Sequence, residues 1–350
     1  MYPRLVIDLK KYEDNIKRML KICQKHKIQC VPVTKVFGAD EKLLDVMYRL
    51  SIDIVGDSRI QNFKMMEPSI KKMLLRLPML SDVRDVITWT DISLNSEITV
   101  LKALNEEAKR QQKMHGFILM IDLGDLREGI YYRDLDETLI EELNQLDHLT
   151  WMGIGTNLTC YGGVIPDDAV YQKLFQVLRF CEKVSKKKMT IVSGGNSSSI
   201  ELLMEGKLPS FVNQLRIGEA IILGRETAFG KKIPDFYDDV ITLEVELIEL
   251  KIKPSKPEGN IGMDAFGEVH VFDDRGMILR ALGAIGRQDV FIEHLIPPEG
   301  IHLLGSSSDH LVMEITSGHY QIGDIVTFKL TYGGILSLMT SRYVEKHYVR

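Results

Sequence analysis

A lysine ends the β-branched run in Val31-Pro32-Val33-Thr34-Lys35. A lysine drawn into a partly buried site loses ammonium character. Its amine then becomes nucleophilic and can form a Schiff base with a carbonyl compound. The same residue can equally be a solvent-facing side chain at a strand end. A second stretch, Val192-Ser193-Gly194-Gly195-Asn196-Ser197-Ser198-Ser199-Ile200, carries two glycines and four hydroxyls. Glycines let backbone N–H groups approach an anion, hydroxyls donate to its oxygens, and a following helix adds positive potential. A flexible turn with a serine N-cap has the same composition. Asn213-Gln214-Leu215-Arg216-Ile217-Gly218-Glu219-Ala220 ends another apolar run. Arg216 there can donate to a ring nitrogen or a phosphate, and Gly218 can lend its amide. A structural ion pair is the competing use of Arg216. Ile121-Asp122-Leu123-Gly124-Asp125-Leu126-Arg127-Glu128-Gly129 offers Arg127 to a phenolate or carboxylate. Gly153-Ile154-Gly155-Thr156-Asn157-Leu158-Thr159 offers Asn157 to the face of a ring. Either can also be an ordinary polar loop residue.

Other chemistries lack their residues. The stretch from Gly224 to Gly230-Lys231 is one residue too long for a Walker A loop, and Lys232 stands where Ser or Thr belongs. No G-x-G-x-x-G follows a strand-like run, no G-x-S-x-G is present, and none of the nine histidines forms H-E-x-x-H. A metal centre is therefore not expected. Cys23, Cys30, Cys160 and Cys181 show no paired spacing and read as free thiols of a reducing compartment. Lys plus Arg is 44 against 49 for Asp plus Glu, which gives no reason to expect a nucleic-acid or membrane partner. No apolar run reaches the roughly 18 residues of a membrane span. The opening Met1-Tyr2-Pro3-Arg4-Leu5-Val6-Ile7-Asp8 lacks the apolar stretch of an export signal, so a cytoplasmic location is expected.

The elements that must hold these residues follow from periodicity. Strand-like runs fall at residues 29–34, 52–55, 72–77, 91–94, 117–123, 149–154, 189–192 and 212–216. Helical spacing is clearest at 40–50, 97–113, 136–146 and 169–186. Eight strands alternating with helices predict an N-terminal (β/α)8 TIM-type barrel, with a doubly wound sheet as the rival. Lys35, Arg127, Asn157, Asn196 and Ser197 would follow barrel strands and Arg216 would end the eighth, where such barrels carry their sites. After residue 229 the pattern becomes alternating strands, at 240–253, 268–272, 277–285, 302–305, 310–315 and 325–330. A C-terminal all-β domain over 230–350 is predicted beside a barrel over 1–229. Residues 3–9 form a strand that can pair with the β domain.

Taken together, these features resemble the alanine racemase family. These are pyridoxal-phosphate enzymes with an N-terminal barrel and a C-terminal β domain, usually dimeric. The resemblance covers nearly the whole chain. It rests on Asp57-Ser58-Arg59-Ile60-Gln61-Asn62, residues 122–129, Asn157-Leu158-Thr159-Cys160-Tyr161-Gly162, residues 193–199, Asp264-Ala265-Phe266-Gly267 and Ser306-Ser307-Ser308-Asp309-His310. It implies that Lys35 carries pyridoxal 5′-phosphate and moves the α-proton on one face. It sets Arg127 near the cofactor phenolate and Arg216 opposite the pyridine nitrogen. Asn196, Ser197, Gly218, the Glu219 backbone and Tyr332 match the phosphate site. Arginine keeps its proton, so the ring nitrogen would stay unprotonated and the cofactor would be a weaker electron sink, which suits racemisation better than transamination.

The chain also departs from the family. Asn157 stands where a histidine is usual, and Met120 takes the place of a modified lysine. No tyrosine lies in residues 259–267 to act as the second base from a partner's β domain. Asp264 is the nearest proton acceptor there and is nominated for that role, with a turn aspartate as the competing reading. By the resemblance, Asp309-His310 matches the family's Met-Asp pair near the mouth of the site, and an acidic group there would pair with a substrate side-chain ammonium; a β-domain loop aspartate with no substrate contact is the competing reading. The expectation is a homodimeric amino-acid racemase acting on a small basic amino acid, with L- and D-ornithine as the pair. The alternatives are an alanine, lysine or broad-specificity racemase, a barrel decarboxylase or aldolase, and a non-catalytic pyridoxal-phosphate carrier.

Overall fold

The computed structural model describes all 350 residues. The chain forms two compact units, Lys11–Asp238, and Met1–Lys10 together with Asp239–Arg350. Strand β1 (Arg4–Asp8) belongs to the latter.

The Lys11–Asp238 unit is built on parallel strands β2 (Gln29–Pro32), β3 (Ile54–Asp57), β4 (Lys71–Leu74), β5 (Ile92–Asn95) and β6 (His115–Asp122). A two-residue β7 (Ile130–Tyr131) flanks β6, and β8 (Leu149–Gly155), β9 (Ile191–Ser193) and β10 (Gln214–Ile217) complete the set. Their spatial order is β2-β10-β9-β8-β6-β5-β4-β3. A parallel bridge between Val33 and Gly56 joins the two ends, and the Thr34 N–H donates to the Gly56 carbonyl at 2.9 Å. The result is a nearly closed eight-stranded barrel. Every residue of β3 and of β5 is buried, the polar Asp57, Ser93 and Asn95 included, as parallel strands covered on both faces require. Val31, Ile54, Met73, Ile92, Leu94, Ile118 and Met120 form one packed core with Met152 against it. Two glycines make room for the methionines. A Cβ at Gly116 would stand 2.6 Å from Met152 Sδ, and one at Gly155 would stand 3.1 Å from Met120 Sδ. Met120 is thus a core filler. Asp40, Asp136 and Asp167 cap the helices Glu41–Arg49, Glu137–Asn144 and Asp168–Ser185 by accepting first-turn amides.

The barrel unit extends beyond residue 229 to Asp238. Ile233 and Phe236 are buried there. The Asn15 side-chain amide clamps the segment, donating to the carbonyls of Ile221 (2.9 Å) and Tyr237 (2.8 Å) and accepting from the Tyr237 N–H (2.9 Å). Pro234 and the acidic residues made this segment look like a linker in the sequence, because its anchor lies some two hundred residues earlier.

The second unit is one sheet around the long strand β11 (Ile241–Pro254). The others are β12 (Met277–Gly283), β13 (Leu295–Ile296), β14 (Ile301–Ser306), β15 (Leu311–Ile315), β16 (Ile325–Leu330) and β17 (Glu345–Val349). The order is β13-β16-β11-β12-β15-β14, and β1 lies antiparallel to β11 and parallel to β17. Ile241, Leu243, Val245 and Leu247 are buried on one face of β11, with partly exposed residues between them. Three details correct the sequence reading. Residues 268–272 form no strand; they are exposed, and the Asp264 carboxylate takes the Phe266 and Glu268 amides (2.8 and 2.9 Å). The β domain is as expected but carries one unexpected helix, Tyr332–Thr340. Gly333-Gly334 masked it by low helix propensity, yet a Cβ on Gly334 would stand 2.8 Å from the His294 carbonyl oxygen. The short β13 and the terminal β17 were also not foreseen. No helix is long and apolar enough to cross a membrane.

Candidate active site

The centre of the barrel site is Arg216, on β10 and only 3% exposed. Its Nη1 donates to the Ser193 hydroxyl and, at 3.4 Å, to the Ser193 carbonyl. Its Nη2 donates at 2.6 Å to both the Thr156 carbonyl and the Asn157 side-chain oxygen. These four contacts match the four Nη hydrogens and leave Nε–H without a protein acceptor. Burial lowers the Arg216 pKa to about 10, opposed by the Glu128 charge, so the guanidinium remains protonated at neutral pH.

From Arg216 a polar chain runs outward. The Asn157 Nδ2 donates to Glu128 Oε1, and Glu128 pairs with Arg127, whose Nε and Nη2 both reach its carboxylate. Burial works against charge on Glu128, but the Arg127 hydrogen bonds and charge outweigh it and hold the carboxyl below its usual range. Burial likewise opposes the charge of Arg127, yet the Glu128 hydrogen bond leaves its pKa raised. Sequence reasoning named Arg127, Asn157 and Arg216. It missed Glu128, although that residue stood inside the quoted stretch beside Arg127.

The loop after β9 supplies hydroxyls and a fixed backbone. Gly195 has φ +135°, and a Cβ on it would stand 2.7 Å from Ser199 Oγ, so the turn requires glycine. Asn196 caps the 3-10 turn Ser197–Ser199 by accepting the Ser198 amide at 2.9 Å. Its Nδ2 donates to the Leu158 carbonyl at 2.9 Å, so its side chain serves the loop framework. Ser197 Oγ accepts the Ala220 amide at 3.2 Å, which ties this loop to the Gly218-Glu219 turn. Ser198 Oγ is buried with no hydrogen-bond partner. Gly218 packs on Val33, where a Cβ would stand 3.1 Å from the valine Cβ. The Glu219 carboxylate is held by Arg225 at 2.7 and 3.0 Å, leaving its backbone as the part that faces the turn. Asp125, also missed from the sequence, is buried and accepts the amides of Cys160, Tyr161 and Val164 at 3.0–3.1 Å, which shapes the loop after β8.

Lys35 opens the 3-10 turn Lys35–Phe37 after β2. Its side chain is exposed, because Val36 and Phe37 take the buried positions of that turn. This corrects the expectation of a partly buried lysine. The turn is anchored through Thr34, whose hydroxyl donates to the buried Asp57 at 2.5 Å. Asp57 also accepts the Arg59 amide and the Asn62 side-chain amide at 2.8 and 3.0 Å. Burial raises its pKa, and these hydrogen bonds oppose the rise.

The remaining residues lie in the second unit. Asp264 forms a turn and meets His270 Nε2 at 2.9 Å; that hydrogen bond, with the backbone amides, holds its pKa near 2. Asp309 is exposed and meets His310 Nδ1 at 2.9 Å, which lowers its pKa. Tyr332 is half-buried at the start of its helix.

The residues present fit pyridoxal phosphate. A phosphate finds backbone turns and the unpaired Ser198 hydroxyl, and a ring nitrogen finds the spare Nε–H of Arg216. Comparison with known proteins points the same way. Residues 7–226 match the family described as "Alanine racemase, N-terminal domain". Ornithine racemase of Acetoanaerobium sticklandii is 44% identical over 351 residues, covering 99% of both chains. Lysine racemase of Thermotoga maritima is 39% identical over 353 residues, again covering 99% of both. An alanine racemase structure from Bartonella henselae, with covalently bound pyridoxal phosphate, superposes with a TM-score of 0.76 at 16% identity and covers 99% of each chain. A nearly closed parallel barrel, an antiparallel second unit, and sequence identity sustained from end to end make this chain a member of the alanine racemase family.

Proposed function

We propose that the chain is a pyridoxal-phosphate-dependent racemase that interconverts L- and D-ornithine. The observation that carries this reading is the 44% identity, over the whole chain, to a protein named ornithine racemase. The site residues support it. Lys35 Nζ would hold the cofactor aldehyde and, once released, hold or return a proton. Arg216 would meet the ring nitrogen through Nε–H, and Arg127 the phenolate. Ser197, Gly218, the Glu219 amide and Tyr332 would hold the phosphate, with Asn196 keeping the loop in shape. Bound pyridoxal phosphate withdraws electrons from the substrate α-carbon and so weakens its C–H bond.

Arg216 remains charged and gives no proton away, so the ring nitrogen keeps its lone pair in a hydrogen bond. Electron withdrawal is then moderate, and rapid return of the proton to the α-carbon is favoured over its loss elsewhere. The opposite face needs its own proton carrier. We assign it to Asp264 of a second copy in a homodimer; its hydrogen bond to His270 must open before it can accept a proton. Asp309 and His310 would receive the side-chain ammonium of the substrate.

The test is a side-by-side assay of L-ornithine, L-lysine and L-alanine by chiral chromatography, with the visible spectrum recorded before and after borohydride. Fastest turnover of ornithine, with a reducible visible band, is expected. Preference for lysine would move the assignment to the activity named for the second relative. Preference for alanine, or release of carbon dioxide or an aldehyde, would overturn it.

A further inference from the structure

Asn157 stands between a group that can only donate and a group that can only accept. Arg216 Nη2 is 2.6 Å from its side-chain oxygen, and the Glu128 carboxylate takes its Nδ2 hydrogen. Between two such neighbours the amide has one satisfied orientation. The reverse would set an N–H₂ against the guanidinium and a carbonyl oxygen against a carboxylate. Glu128 is well placed for this, since its side chain is 14% exposed and held on the other side by Arg127. Lys35, Arg127, Asn157 and Arg216 were all candidates from the start, but nothing in the sequence gave Glu128 a role.

We propose that Glu128 is a positioning residue that acts through Asn157 to hold Arg216 with its single spare N–H, at Nε, available to the cofactor ring nitrogen. The inference rests on the racemase reading above. With the carboxylate in place, Asn157 must present oxygen to Arg216, and all four Nη hydrogens are occupied. Without it, the amide is free to rotate, one Nη hydrogen loses its acceptor, and the guanidinium can turn. The negative charge of Glu128 also favours the Arg216 cation, whose own four acceptors are neutral oxygens. One carboxylate therefore serves both arginines, directly for Arg127 and across an amide for Arg216.

The test uses full-length holoenzyme and a double-mutant cycle of Glu128→Gln and Asn157→Ala. Two quantities are read: the dissociation constant of pyridoxal phosphate on reconstitution, and the pH at which the visible band of bound cofactor changes. Glu128→Gln is expected to weaken cofactor binding about tenfold, the scale of losing one charge-assisted hydrogen bond, and to move the spectral transition. Glu128 also holds Arg127 directly, so the double variant should bind the cofactor more weakly than Asn157→Ala, but its spectral transition, the readout of the ring-nitrogen contact, should stay where Asn157→Ala puts it. Glu128→Asp should restore part of the wild-type transition. A further shift of the transition on adding Glu128→Gln to Asn157→Ala, or an unmoved transition in Glu128→Gln alone, would overturn the inference. Far-ultraviolet circular dichroism on each variant separates these outcomes from misfolding, and the Asn157→Ala arm tests the link even if Glu128→Gln does not fold. A wild-type chain that binds no pyridoxal phosphate would instead sink the racemase reading itself.

Discussion

The Thr34 hydroxyl donates to the buried Asp57 carboxylate at 2.5 Å, and Thr34 is the residue before Lys35. The contact spans the seam where β2 meets β3 and the barrel closes. Asp57 is surrounded by donors, so no neutral replacement satisfies them all. Asp57→Ala should destabilise the barrel by about 2–4 kcal/mol, the range for a buried charged group with several hydrogen bonds. Urea denaturation measures this, and a change below 1 kcal/mol, roughly the worth of a single neutral hydrogen bond, would contradict it.

Lys35 is exposed, so its removal separates chemistry from folding. Lys35→Ala should keep the wild-type circular dichroism spectrum. It should lose racemisation by about 10²–10⁴-fold, the usual worth of a proton-transferring side chain. Mass spectrometry after borohydride should find no cofactor attached to the chain. A variant that still racemises at the wild-type rate would refute the assignment.

Arg216 makes four donor contacts from a position that is 3% exposed. In Arg216→Glu those oxygens would face an acid, which must then carry a proton and can share it with the ring nitrogen. Racemisation should fall about a hundredfold, and the variant should release keto acid from L-ornithine. Keto acid is assayed directly; unchanged racemisation without it would remove Arg216 from the mechanism.

Gly195 has φ +135°, and the Cβ of an alanine there would meet Ser199 Oγ at 2.7 Å. Gly195→Ala should cost about 1–3 kcal/mol in stability from backbone strain. It should also weaken pyridoxal-phosphate binding, because the strain lies in the loop that carries Ser197 and Ser198. Equilibrium denaturation and reconstitution titration read the two effects separately.

His115 is buried against Ser93, 2.8 Å from its hydroxyl, and burial lowers its pKa from 6.5 to about 4. A histidine with a depressed folded pKa is neutral in the native state while the unfolded chain binds the proton first. Stability is therefore lost as pH falls from about 6.5 to about 4, by about 3 kcal/mol in total. His115→Gln should flatten the dependence in that window. An equally steep fall in the variant would assign the acid sensitivity elsewhere.

The barrel was legible because short strand-like runs alternate with helical stretches, three of which begin at aspartate caps. Both are local signals. Arg127, Asn157 and Arg216 were legible as strand-end polar residues, and the structure joins them. The linkage itself was not, since Glu128 meets Asn157 across 29 positions and Thr34 meets Asp57 across 23. Pairings of that range leave no periodic trace. The expected strand at 268–272 failed for a different reason: its apolar alternation was real, but the Asp264 side chain competes for the amides. The helix Tyr332–Thr340 was hidden by glycines that packing against residue 294 requires.

Strand β1 is synthesised before the barrel, yet its two neighbours in the sheet, β11 and β17, both come after the barrel in the chain. During synthesis the leading segment therefore waits, with Leu5 and Ile7 uncovered, while the whole barrel is translated behind it. Removing residues 345–350 would strip that strand of one of its two neighbours, so a change at β17 would be felt some three hundred and forty residues earlier in the sequence, at β1.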